Sequence, residues 1–212
     1  LTQLSSVDLV IDCGANAGLY TCLAASRGVS VMAIEPYPLC LSILYRNLRD
    51  NAFKVPIEVY PMALGDQAGV APLYGRGQGA SLLAGWGGLP TFDTQLVSVI
   101  PLDALVGRRF DGKRILLKVD VEGGEWNLLK GATQVLAQRP HVLMELSFSK
   151  NQPTGRHPHF REILDLFWGL KYTLMAASGP RGAALITPSR VDAWFARGAA
   201  DLPSENIWCV PL

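Results

Sequence analysis

The chain is predicted to be a doubly wound α/β protein with a mostly parallel sheet, and three observations carry that prediction. Short β-branched apolar runs alternate with helical stretches along nearly the whole sequence. The runs are continuous enough to be buried on both faces, as parallel strands are. Asp12, Glu35, Asp120 and Glu145 fall at or near the carboxyl ends of four of them. That is the edge of an open α/β sheet at which ligands bind.

Taken in order, the first strand, Val7 to Ile11, stops at Asp12 and opens into Cys13-Gly14-Ala15-Asn16-Ala17-Gly18, after which Leu19 to Arg27 reads as a helix. Gly14 and Gly18 admit turn conformations closed to other residues and leave no Cβ to collide with a ligand lying on the loop. The spacing lacks the third glycine of Gly-x-Gly-x-x-Gly, so a pyrophosphate on the helix N-terminus is less well supported than in a dehydrogenase. Val29 to Ile34 forms a second strand ending at Glu35-Pro36. Leu39 to Asn51 is helical, with Leu39, Ile43, Leu44 and Leu48 at helical spacing and Pro36 and Pro38 near its start. A third strand covers Ile57 to Tyr60, and Gly65-Asp66 suggests a turn after Met62.

Between about residues 69 and 100 the pattern changes. Gly75, Gly77, Gly79, Gly85, Gly87 and Gly88 punctuate a segment with little helical period, and only Gln95 to Ile100 alternates as a strand. We read it as an insertion within one domain spanning residues 1–212. Loops of this length are often functional, which makes Ser81, Leu82 and Trp86 candidates to cover a ligand; the alternative is a plain glycine-rich surface excursion.

Leu102 to Leu105 suits a single helical turn, and Arg114 to Val119 a buried strand ending at Asp120. A helix follows from Glu125 to Gln138, then a strand from His141 to Leu146 that carries Glu145. The last third adds helices over Phe160 to Phe167 and Arg190 to Arg197, with strands at Lys171 to Ala176, Ala183 to Ile186 and Glu205 to Val210. The two closely spaced last strands suit an antiparallel edge hairpin. Trp168, Trp194 and Trp208 lie in apolar segments as core residues, whereas Trp126 suits either core or pocket wall.

Composition narrows the function classes. With 212 residues, 49% of them hydrophobic, the chain is long enough to bury one large core. Nineteen basic against eighteen acidic residues, with no basic stripe along a helix, points away from nucleic acid and anionic membranes. No apolar run reaches the roughly 18 residues of a membrane span. No basic-then-apolar start resembles a signal peptide, so a cytoplasmic location is expected. Cys13, Cys22, Cys40 and Cys209 avoid Cys-x-x-Cys spacing, as small core residues in a reducing compartment do; a zinc site is not expected.

Asp12 and Glu35, closing adjacent strands, suit a ligand with an amino group at one end and a ribose diol at the other, as in S-adenosylmethionine. Read together, Ile11-Asp12-Cys13-Gly14-Ala15-Asn16-Ala17-Gly18, Ile34-Glu35-Pro36-Tyr37-Pro38, Ala63-Leu64-Gly65-Asp66, Pro101-Leu102-Asp103-Ala104-Leu105 and Leu117-Lys118-Val119-Asp120-Val121-Glu122-Gly123-Gly124-Glu125 resemble the FkbM family of methyltransferases in order and spacing. The resemblance implies a Rossmann-like fold of the class I methyltransferase type with an antiparallel last strand. It also implies S-adenosylmethionine as methyl donor, S-adenosylhomocysteine as product, and a hydroxyl of a sugar or secondary metabolite as acceptor. Carried over residue by residue, it places Asp12, Gly14, Ala15, Asn16 and Gly18 around the methionine portion and Glu35 on the ribose hydroxyls. Pro36 would shape the adenosine pocket, Ala63 and Leu64 with Asp66 would lie near the adenine, and Asp120 would face the methionine end and the reacting centre. The segment 69–100 matches least, and acceptor specificity is expected there. The partner is then a small-molecule or glycan acceptor.

An alcohol is a poor nucleophile until its proton leaves, so the chemistry needs a base. Asp120, Glu122 and Glu145 are the catalytic candidates. Neighbouring carboxylates push their proton affinities apart, suiting one as base; together they could instead bind a divalent metal, which is not predicted. Glu122 has a structural alternative as a cap of the following helix, whose dipole Glu125 also answers. His157 and His159 are candidates for base or acceptor clamp, against exposed loop histidines. The alternatives to a methyltransferase are an NAD-dependent oxidoreductase of similar architecture and a cofactor-binding protein without turnover.

Overall fold

The computed structural model describes residues 6–177 and 184–212. Eight strands form the main sheet in the order β10-β9-β11-β8-β7-β1-β2-β3. Its centre is β1 (Leu9–Cys13), parallel to β2 (Ser30–Ile34) on one side and to β7 (Ile115–Val119) on the other. β3 (Ile57–Tyr60) continues parallel beyond β2, and β8 (His141–Glu145) beyond β7. The chain reverses its direction of growth between β1 and β7, which opens a crevice at their carboxyl ends.

Alternation along the central strands sorts side chains between two faces. Leu9, Ile11 and Cys13 of β1 and Ile115, Leu117 and Val119 of β7 join the larger core. Val10 and Leu116 join the other, which packs against α1 (Leu19–Ser26) and α2 (Pro38–Asn51) through Ala24, Ala25, Leu41 and Leu44. Asp12 and Lys118 stand directly opposite each other across β1 and β7, in the alternation of that second face.

The sheet's other half is antiparallel. β11 (Asn206–Pro211) lies between β8 and β9 (Tyr172–Ala176) and runs against both, as the resemblance implies for the last strand. β10 (Ala184–Ile186) closes the edge as an antiparallel partner of β9, so the expected hairpin forms; Ala183, the expected start of that strand, lies outside the described residues. α6 (Phe160–Gly169) and α7 (Pro188–Arg197) cover this half, with Phe160, Phe167 and Trp194 fully buried. Trp168 and Trp208 pack against the core only partly buried.

Two expectations change. The helix from Glu125 to Gln138 is two helices, α4 (Glu125–Lys130) and α5 (Thr133–Ala137). A Cβ on Gly131 would stand 2.1 Å from the Gly65 carbonyl oxygen, so the backbone passes where no side chain fits. Asp103, in α3 (Leu102–Val106), supplies the cap for the restarted helix: its carboxylate accepts the Gln134 N–H at 2.9 Å and the Val135 N–H at 3.0 Å.

The glycine-rich segment is also more ordered than its composition suggests. β5 (Gly69–Tyr74) pairs antiparallel with β6 (Thr94–Ile100), and β4 (Ala63–Leu64) pairs parallel with β6, giving a second, three-stranded sheet. Its own small core holds Ala63, Leu73 and Val97. Among the described residues, no helix is long and apolar enough to cross a membrane.

Candidate active site

The loop after β1 rests on a buried ion pair. Asp12 is fully buried: its Oδ2 accepts the Thr21 hydroxyl at 2.6 Å, and its Oδ1, without a hydrogen bond, faces the Lys118 ammonium at 3.4 Å. Lys118 Nζ also donates to the Gly14 carbonyl at 2.7 Å and lies 3.3 Å from Asp120 Oδ2. Burial opposes the charge on Lys118, but the Asp12 and Asp120 carboxylates outweigh it and raise its proton affinity. Asp12 therefore supports the loop from beneath and does not line the cleft described below. The strand continues through Asp12 to Cys13, and its pleat turns the carboxylate into the core.

Above this support, the turn is held against β2. Gly14 and Ala15 donate their N–H groups to the Ile34 carbonyl at 2.9 and 3.0 Å. Gly14 has φ 75°, and a Cβ there would stand 1.8 Å from the Asp120 carbonyl oxygen, so the turn and the end of β7 touch backbone to backbone. Glu35 anchors the rim: its Oε2 accepts the Asn16 N–H and its Oε1 the Tyr37 N–H, both at 2.8 Å. Burial pushes the Glu35 carboxyl up, against the pull of those two bonds.

These elements enclose a cleft with about 610 Å³ of empty space, counting the open solvent at its mouth. Of the residues expected at a cofactor, Gly14, Asn16, Glu35, Pro36, Ala63, Leu64 and Asp120 line it. Ala15 and Gly18 do not; Ala15 is 4% exposed, and Gly18 serves packing, since a Cβ there would meet Leu44 at 2.3 Å. Asp66 is also displaced, forming an ion pair with Lys130 at 2.6 Å beside a neighbouring hollow. The insertion closes the cleft with Leu73, Gly77, Gln78, Ala80 and Leu82, so Leu82 covers it as anticipated.

The insertion also grips the turn after β7. Ser81 Oγ donates to the Glu122 carbonyl at 2.5 Å, and the Trp86 indole N–H donates to Glu122 Oε2 at 2.7 Å. Gly123, at φ 93°, leaves room for the Trp86 ring, which a Cβ would meet at 2.7 Å. Glu122 itself has φ 53°, a conformation unusual for a residue with a side chain. Burial pushes its carboxyl up, with the Trp86 bond opposing. Glu122 is thus no cap: α4 has no side-chain cap, while Glu125 Oε1 accepts the Gly123 N–H at 3.0 Å.

On the far side of Asp120 and Glu122 lies a second, small hollow, with about 270 Å³ of empty space counting the open solvent at its mouth, lined also by Trp86, Glu125, Glu145, Ser147, Asn151 and Glu205. Glu145 stands here, outside the first cleft. Burial first, then the charges of Asp120, Glu122 and Glu205, push its carboxyl up to about 6. Among the described residues, no group of three or more His, Cys, Asp or Glu side chains is arranged to hold a metal ion.

His157 and His159 line neither cavity. His157 is 3% exposed, with Nε2 directed at Glu125 Oε2 3.6 Å away, and His159 stacks on Trp126 with ring centroids 5.5 Å apart. Neither Lys118 nor Thr21 carries a local sequence signal for its place beside Asp12. Only strand pairing and the direction of α1 bring those two to Asp12.

The FkbM methyltransferase domain matches residues 12–174, from the strand beneath the glycine turn to the edge strand β9. The chain belongs to the FkbM methyltransferase family. It is 26% identical over 196 residues to the methyltransferase sdnD of Sordaria araneosa, covering 78% of this chain and 74% of that protein. It is 27% identical over 147 residues to the hexuronic acid methyltransferase AglP of Haloferax volcanii, covering 69% of this chain and 59% of that protein. The large, mostly parallel sheet flanked by helices is the class I methyltransferase arrangement. Methyl transfer, not hydride transfer, is the chemistry of this family.

Proposed function

We propose that the chain transfers a methyl group from S-adenosylmethionine to a hydroxyl oxygen of a sugar or secondary metabolite. The observation that carries this reading is the junction of two cavities at one pair of acids: Asp120 and Glu122 line both the cofactor cleft and the cavity beside it. A donor on one side and an acceptor on the other would meet there. The AglP relative, a hexuronic acid methyltransferase by name, supports a sugar-containing acceptor.

The residues of the cleft fit the cofactor by their chemistry. Glu35 spends one interaction of each carboxylate oxygen on a backbone N–H, leaving lone pairs for the two hydroxyls of a ribose. Ile34, Met62, Leu64 and Leu73 offer apolar surface for an adenine. Asp120, steadied by Lys118, offers a carboxylate to an α-ammonium group. When bound, the cofactor supplies a sulfonium-activated methyl group.

The protein's own work is then alignment, exclusion of water and removal of a proton. Alignment can contribute about 7–11 kcal/mol in favourable cases. The insertion excludes water by laying Leu73 and Leu82 over the cleft. Of the three catalytic candidates, Asp120 is engaged with Lys118 and Glu122 with Trp86, whereas Glu145 has no side-chain hydrogen bond among the described residues. Glu145, with its carboxyl near 6, is the base that takes the acceptor's hydroxyl proton. The cysteines are free thiols, three of them buried, which fits the reducing cytoplasm as its location.

Calorimetry with S-adenosylmethionine, S-adenosylhomocysteine and NAD tests the cofactor. Both sulfur compounds should bind and NAD should not. Absence of heat from either sulfur compound would sink the reading.

A further inference from the structure

Methyl transfer to a metabolite needs room for more of the acceptor than its reacting hydroxyl, and the hollow beside Glu145 is small. A larger hollow adjoins the same turn at Gly123 and Gly124, with about 880 Å³ of empty space counting the open solvent at its mouth. It shares a wall with the first cleft, since Leu64, Leu82 and Gly124 line both. The turn that carries Asp120 and Glu122 thus runs on into its rim.

The lining is apolar and carries no free charge. Leu64, Val70, Ala71, Leu82, Leu83 and Val99 line it, and all but Leu64 come from the segment 69–100, where acceptor specificity is expected. Among the described residues, Asp66 is its one charged lining group, and Lys130 already pairs with it at 2.6 Å. Gly124 has φ −89° and ψ 6°, a turn conformation open to residues with side chains, and a Cβ there would come no nearer than 3.4 Å to the Val121 carbonyl oxygen. Neither backbone nor packing requires glycine at that position. What its bareness provides is open space between the cleft and the hollow.

Resting on the methyl-transfer reading above, we propose that this hollow holds the non-reacting part of the acceptor, and that this part is uncharged and apolar, an alkyl or aryl substituent of a hydroxylated metabolite. The hydroxyl would be presented at Asp120 and Glu122, with the substituent passing Gly124 to lie against Leu82 and Leu83. Leu64 and Leu82 would then carry the donor on one face and the acceptor on the other, so a bound acceptor helps to seal the cleft. Selection follows from burial. Each methylene taken out of water is worth roughly fourfold in affinity. A charged group in the same place would lose its hydration and find no free counter-charge on the wall.

The test is calorimetric titration of the full chain, loaded with S-adenosylhomocysteine at pH 7, with the methyl, hexyl and 6-aminohexyl β-glucosides. The hexyl glucoside should bind at least about tenfold more tightly than the methyl one, and the terminal ammonium should remove that gain. Val70 and Ala68 are exposed and line the hollow but not the cleft. Val70→Asp, checked for folding by circular dichroism, should abolish the advantage of the hexyl group and leave the affinity for S-adenosylhomocysteine unchanged. Ala68→Asp, in the turn before β5, repeats the measurement if the first variant does not fold. Equal binding of the methyl and hexyl glucosides, binding of neither, or a hexyl advantage undiminished in a folded variant overturns the proposal. Failure of S-adenosylhomocysteine to bind would count against the cofactor reading instead, and the ratio of hexyl to methyl affinity can still be measured on the unloaded chain.

Discussion

Lys118 supplies the positive charge between two acids, one buried beneath the glycine turn and one facing the cleft. Replacing it with methionine leaves Asp12 charged and fully buried with only the Thr21 hydroxyl as partner. Breaking a buried pair in this way typically costs about 3–5 kcal/mol, so Lys118→Met should lower the free energy of unfolding by that amount in urea titrations. Adding Asp12→Asn should restore part of the loss; a single variant as stable as wild type would show that the pair does not carry the loop.

Glu145 gives a pH prediction. Only its ionised form can accept a proton, so turnover should fall as pH drops through about 6, and Glu145→Gln should lose about 10²–10⁴-fold in rate together with that acidic limb. The stability sign is opposite. A carboxyl raised in the folded state contributes stability that is present below its ordinary value of 4.5 and lost as pH rises through about 6. Of these residues, the acid at each strand end was legible in sequence, but its facing was not. Asp12 read as the residue after a strand, whereas one further residue of strand, Cys13, turns it inward. Its partner Lys118 depends on the β1–β7 register, which local pattern does not contain.

At the scale of elements, the apolar runs and helical spacings placed nearly every strand and helix, because burial on both faces of a sheet leaves a strong signal. The break at Gly131 was invisible because its cause, the Gly65 backbone and the Asp103 cap, lies in other elements. β5 was missed for a similar reason: Gly69-Val70-Ala71-Pro72 has weak strand character alone and gains its ladder from β6. The insertion meets the turn after β7 at Glu122, through Ser81 and Trp86. The Trp86→Phe variant keeps the ring against Gly123 and removes the indole donor. Hydrogen bonds to charged groups contribute about 1.5–3 kcal/mol, so stability should fall within that range. The Glu122 carboxyl, already pushed up by burial, should rise further without its donor. Side-chain carboxyl NMR titration reads that shift, and an unchanged Glu122 titration would contradict the latch.

Across the whole molecule, the two large cores flank the main sheet, while the second sheet has a small core of its own. That separation lets folding and closure of the cleft be tested apart. Tyr74 and Thr94 are the last paired residues of β5 and β6, so an Asn-Gly turn can replace residues 75–93 and close the hairpin directly. The shortened chain keeps β4, β5 and β6 but loses Gly77, Gln78, Ala80 and Leu82 from the cleft and Ser81 and Trp86 from Glu122. It should retain the far-ultraviolet spectrum of an α/β protein and unfold cooperatively. Its affinity for S-adenosylhomocysteine should fall by at least about tenfold, the equivalent of 1.4 kcal/mol, because the cleft opens to water and Glu122 loses both tethers. Retained affinity would mean that the main sheet alone forms the cofactor site. Lost affinity in a chain that still folds would assign the insertion to closing the cleft rather than to holding the fold.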